Sequence, residues 1–151
     1  MITGLHNGDA LRAWKENGIR YAVGDNTRSA IRNQESSFYP LTTTVAANGY
    51  DGIVIIGRWA TTIYFNCDFP DCIVQEWKSV TGRDGSFSDI LREAKEVNTK
   101  HLLGLHWDPF MFHQANMRVV DAPAQVINGV NRQYSLLMAW VEAVAVEMAR
   151  L

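Results

Sequence analysis

His106, followed at once by Trp107 and Asp108, sets a titratable imidazole beside an aromatic wall and a carboxylate able to orient it. Those residue types in that order suit proton transfer to or from a bound group. The residues just before, His101-Leu102-Leu103-Gly104-Leu105, are short, apolar and preceded by a helical pattern. They predict a buried strand of an α/β unit, with His106 at its carboxyl end. Parallel strands are covered on both faces, so polar chemistry gathers where their carboxyl ends open into loops. On residue type alone, His106 is either a site residue there or a cap bonded to the strand backbone.

The elements that must position this ring follow from the rest of the chain. Asp9 to Asn17 predicts a helix capped by Asp9, with Ala10, Leu11 and Trp14 on its apolar face and Gly18 as its stop. Ile19 to Val23 reads as a strand, and Ile53-Val54-Ile55-Ile56 as a second, buried one, with Gly57-Arg58-Trp59 after its end. The stretch 57–85 is long for a connection and reads as a functional or shielding excursion. Ser86 opens a capping box for a helix from Phe87 to about Asn98, whose buried stripe is Ile90, Leu91, Ala94 and Val97. Asn128-Gly129 predicts a type I′ turn between Gln125–Ile127 and Val130–Gln133. A last helix over Tyr134 to Arg150 carries Leu137, Trp140, Val141, Val144 and Met148 on one face. Trp14, Trp77 and Trp140 fall on apolar faces and read as core. His113, amid Phe110, Met111 and Phe112, reads as a core histidine or a second pocket residue. Strands alternating with helices predict an α/β architecture with a parallel sheet. The strands are too few to close a barrel, which takes ~250 residues. The chain is therefore a small open sheet or the C-terminal part of a larger barrel.

The 151 residues fit one domain, 1–151, and with 47% of them hydrophobic they can build a core. A net charge of −2 without an Arg/Lys stripe argues against nucleic acid as partner. No apolar stretch approaches the ~20 residues that span a bilayer. Met1-Ile2-Thr3-Gly4 runs almost directly into Asn7-Gly8-Asp9, so further sequence is expected upstream. Cys67 and Cys72 bracket Pro70. A bridge between them, contributing about 2 kcal/mol and implying an oxidising compartment, is preferred to two free thiols. Zinc on this pair is disfavoured, because no second Cys or His pair stands at ligand spacing.

From Gly4 onward the chain resembles the carboxy-terminal half of a polysaccharide deacetylase domain of the chitin-deacetylase-like carbohydrate esterases, and in particular the fungal galactosaminogalactan deacetylase group. The likeness runs through Gly4 to Leu11, Tyr21 to Asn26, Arg58 to Thr62, the Cys67 to Cys72 loop, and Leu103 to Met117. It implies a partial (β/α) barrel with parallel strands and flanking helices. It also implies a secreted or cell-wall hydrolase that removes N-acetyl groups from a hexosamine polysaccharide. By resemblance, His106 is the general acid and Leu103 and Leu105 line the acetyl-methyl pocket. Asp25 falls in the family's acidic segment, with Thr27 where a second acid often stands. Trp59 and Trp107 either stack on sugar rings or pack in the core, Arg58 either hydrogen-bonds hydroxyls or serves as a surface ion-pair partner, and Asp108 can hydrogen-bond hydroxyls. His6 and Asn7 either form a rim or oxyanion position at a helix N-terminus or leave that end to plain capping by Asn7 or Asp9.

The family's metal-binding motifs, an aspartate pair and a His-x-x-x-His, have no counterpart in these residues. His101 and His106 are five apart, and His106 and His113 seven. A divalent metal, expected to be zinc, thus belongs to the intact domain, and no metal ligand is assigned in this chain. Two functions remain open: the acid-and-pocket part of a polysaccharide N-deacetylase, inactive as this isolated chain, or a non-catalytic glycan-binding remnant of such a domain.

Overall fold

A computed structural model describes residues 3–25, 31–36, 38–106 and 108–151. Along the chain run a short 3₁₀ turn (Thr3–His6), α1 (Gly8–Glu16), β1 (Tyr21–Gly24), β2 (Leu41–Thr42), α2 (Val45–Asn48), β3 (Val54–Gly57), β4 (Trp59–Ala60), α3 (Pro70–Thr81), α4 (Phe87–Leu103), β5 (Phe110–Met111), a second 3₁₀ turn (Gln114–Met117), β6 (Ala124–Ile127), β7 (Val130–Gln133) and α5 (Leu136–Met148). The chain is a mixed α/β fold divided into two compact units, Met1–Ala60 with Trp107–Phe110, and Thr61–His106 with Met111–Leu151.

The first unit is built on a three-stranded sheet in the order β1-β3-β2. β1 and β3 pair in parallel, Tyr21 opposite Val54 through Gly24 opposite Gly57, and β2 pairs antiparallel to β3. The apolar run at 53–56 forms the central strand because Ile53 and Ile55 point into a core made with Leu5, Leu11 and Ile31. The other sheet face carries Tyr21 and Val23 of β1, 62% and 54% exposed, in register with Val54 and Ile56.

The second unit packs α4 against α3 and α5, with α5 also against β6. Asn128 and Gly129 both have positive φ, as a type I′ turn requires, and close the β6–β7 hairpin where expected. The capping box is present, with Ser86 Oγ accepting from the Asp89 N–H and the Asp89 carboxylate accepting from the Ser86 N–H. Trp77 and Trp140 are buried, and Trp14 packs at the edge of the first unit's core. Three expectations are corrected. The strand predicted over 101–105 is instead the end of α4, which runs on to Leu103. Ile90, Ala94, Asn98 and His101 recur every three or four residues on its buried side, so the helical period outweighs the short apolar run. The parallel neighbour of β3 is accordingly β1. On α4, Asn98 takes the buried place expected for Val97, because its amide donates to the Ala94 carbonyl within the helix. On α5 the buried face is Leu136, Ala139, Trp140, Ala143 and Val144, and Val141 is exposed. α3 was not expected, although Pro70 opens it and Gly82, at φ +70°, closes it in the usual way.

Candidate active site

In the first unit, the parallel pair β1–β3 brings two predicted residues together. The Arg58 N–H donates to the Gly24 carbonyl at 3.0 Å, extending the ladder one step past the strand ends. Asp25 and Arg58 therefore leave the carboxyl edge side by side, their charged groups 3.5 Å apart. Asp25 is only 8% exposed, so the guanidinium compensates a carboxylate largely removed from water. Trp59, next along the chain, is fixed by its N–H to the Pro109 carbonyl at 2.9 Å, and its half-buried ring lies against Phe38 with centroids 5.3 Å apart. Phe38 was not singled out by sequence, since one aromatic residue in a polar, turn-rich stretch carries no periodic signal. Asp108 is buried in the same unit. Trp107 lies outside the described residues, as does Thr27.

His6 and Asn7 precede α1 and, with Asp9, Arg12 and Tyr50, line a cavity of about 450 Å³. The helix cap is Asn7, whose side-chain oxygen accepts from the N–H groups of Asp9 and Ala10, both at 3.1 Å. The expected cap, Asp9, instead pairs with Arg12 one turn on, a first-turn acid next to the positive helix end. Two of the N–H groups that an oxyanion could meet at this end are thus already engaged by the Asn7 side chain.

His106 belongs to the second unit and is held by the end of a helix rather than of a strand. Counting from the Gly104 cap of α4, the Leu105 N–H donates to Leu102 O at 3.0 Å and the His106 N–H reaches His101 O at 3.4 Å. These two bonds form the Schellman turn that commonly satisfies the last helical carbonyls. It folds His106 back so that its imidazole stacks on that of His101, centroids 4.4 Å apart and planes within 6°. His106 is half-buried, while Leu103 and Leu105 are 56% and 87% exposed. A catalytic zinc takes three protein ligands as a rule. In the second unit His101 and His106 stand together as two imidazoles that can each offer a ligand atom to a metal ion.

Elsewhere in the second unit, Cys67 and Cys72 are disulfide-bonded. Their loop is held by Asn116, a buried amide unremarked in the sequence, which donates to the carbonyls of Tyr64 and Cys67 at 2.9 and 2.8 Å. Arg118 adds an ion pair with Asp68 and lies over the Phe69 ring. His113 is half-buried, its ring and that of Phe65 meet edge to face with centroids 5.7 Å apart, and its backbone N–H donates to the Asn116 side-chain oxygen. Burial and the carboxylates of Glu76 and Glu93 push the Tyr64 hydroxyl above its usual range.

Two comparisons bear on what this arrangement serves. The family model described as "Agd3 deacetylase domain" matches residues 1–151. The crystal structure described as that of Agd3, a novel carbohydrate deacetylase, is similar at a TM-score of 0.87 and 51% sequence identity, over 99% of this chain and 23% of that chain. The present chain thus spans less than a quarter of that protein's length. No curated protein matches it.

Proposed function

We propose, since the chain belongs to the Agd3 deacetylase domain family, that it supplies the proton donor and part of the sugar-binding surface of a carbohydrate N-deacetylase. The substrate is a galactosaminogalactan-like polysaccharide bearing N-acetyl groups. The sheet is part of a (β/α) barrel that further polypeptide completes, and the parallel β1–β3 pair supports this. The Cys67–Cys72 bridge supports a secreted or cell-wall location. No helix among the described residues is long and apolar enough to cross a membrane.

One observation carries the reading: a half-buried imidazole held in a fixed orientation at a helix end, in a chain that matches a deacetylase domain throughout. In amide hydrolysis, water adds to the acetyl carbonyl and the C–N bond then breaks. The departing nitrogen takes a proton from the His106 imidazolium and leaves as a free amine, with acetate as the other product. A divalent ion in the intact domain would supply Lewis acidity toward the carbonyl. Asp25 and Arg58 hydrogen-bond sugar hydroxyls, and Trp59 offers a ring face to the sugar.

The test is a graft. The 151 residues replace the equivalent segment of the solved Agd3 chain, and acetate release from N-acetylated galactosamine oligomers is followed with and without zinc. The graft is expected to be active, and His106→Ala within it to lower kcat by roughly 10²- to 10⁴-fold with the fold intact. The isolated chain is expected to release no acetate, with or without zinc. A folded graft that binds the oligomers but releases nothing would support the alternative of a non-catalytic glycan-binding remnant. Unchanged kcat after His106→Ala would remove the general-acid role.

A further inference from the structure

The slot in which His101 and His106 meet is normally apolar. In a Schellman turn the residue two beyond the cap packs on the residue three before it, and that contact is usually hydrophobic. Here the two positions are His106 and His101, and both carry imidazoles. The geometry is also maintained at some cost. The position after the cap ordinarily holds glycine, because its φ is positive, yet Leu105 occupies it at φ +60°. Gly104 itself has ordinary backbone angles, so its lack of a side chain matters for space: a Cβ there would lie 3.1 Å from His106 Cδ2 and 3.3 Å from the His101 carbonyl. His101 is 7% exposed, fixed among the helix residues, while His106 is the half-buried ring of the pair.

We propose that His101 is a positioning residue for this deacetylase site, a buried flat ring that fixes the plane of the His106 imidazole by face stacking. The proposal rests on the general-acid reading of His106. Proton delivery to a departing amine depends on where the N–H vector points, and a ring anchored only by its own side-chain torsions samples several directions. Stacking against a ring that is itself buried favours one plane. The imidazole's flatness, rather than its charge, is the property in use, so phenylalanine should replace it and leucine should not.

The test has two arms. In NMR spectra of the 151-residue chain, the His106 ring protons are expected upfield of an unstacked imidazole. His101→Leu should abolish that shift, and His101→Phe should keep it. In the graft, His101→Leu is expected to lower kcat about 10-fold with KM unchanged, and His101→Phe to restore it to within about twofold, with thermal stability of the variants alike. Loss of activity in His101→Phe equal to that in His101→Leu, or full activity in His101→Leu, overturns the proposal. Those results are distinct from failure of the underlying reading, which shows itself as unchanged kcat in His106→Ala whatever His101 does.

Discussion

The two ends of α4 were made by opposite means. At its start, Ser86 and Asp89 follow the capping rule, and the Asp89 carboxylate is drawn down to about 2, chiefly by the Ser86 hydroxyl and N–H, then by Arg92. At its finish, a leucine stands where glycine is preferred, and two imidazoles stack where apolar side chains usually meet. The first end uses each residue for what it does best in a helix. The second departs from local preference twice within six residues, and strain of that kind gathers at functional sites. On the proposed reading of His106, stability and chemistry are divided between the ends of one helix.

That contrast can be broken or sharpened by substitution. Ser86→Ala should have the largest effect, lowering stability to urea by about 1 kcal/mol through loss of the cap, with no change in the His106 ring-proton shifts. Coupling of those shifts to Ser86 would show that the two ends are not separate. Leu105→Gly should act in the opposite sense, raising stability by roughly 0.5–1 kcal/mol as the left-handed strain is relieved, net of glycine's greater chain entropy. A loss of stability there would mean that Leu105 makes contacts outweighing the strain. The smallest effect belongs to acid. Asp89 has a folded value of about 2 against 3.8 in the free residue, so its contribution is complete above 3.8 and is lost as the pH falls through about 2. Asp89→Asn should therefore flatten the pH dependence of α4 helicity over that window, followed by circular dichroism, and lose at neutral pH the stabilisation that the carboxylate gives there.

What could be read from the sequence divides along the same line. The Asn128-Gly129 hairpin, the Ser86 capping box, the central strand at Ile53–Ile56 and the cysteine bridge all rest on residues in their favoured settings, and local pattern found them. The end of α4 misled because Leu102, Leu103 and Leu105 form a short apolar run that fits strand or helix equally. What decides is the buried stripe through Asn98 and His101, and polar residues on a buried face do not register as hydrophobic period. Asn7 was passed over for Asp9 because both are good caps by type, and only the backbone angle preceding Gly8 distinguishes them. Asp25 and Arg58 were each singled out, but their pairing depends on which strands are neighbours, a long-range fact that no local window contains.

The sheet of the first unit has a practical consequence for handling the protein. Tyr21 and Val23 project from the face opposite the Leu11–Ile53–Ile55 core, on β1, which among the described residues is an edge strand in the order β1-β3-β2. Exposed apolar side chains on an open strand edge are a template for pairing between copies. Lysine or threonine at 21 and 23, outside the buried cluster, is expected to weaken such pairing in concentrated samples without touching either end of α4.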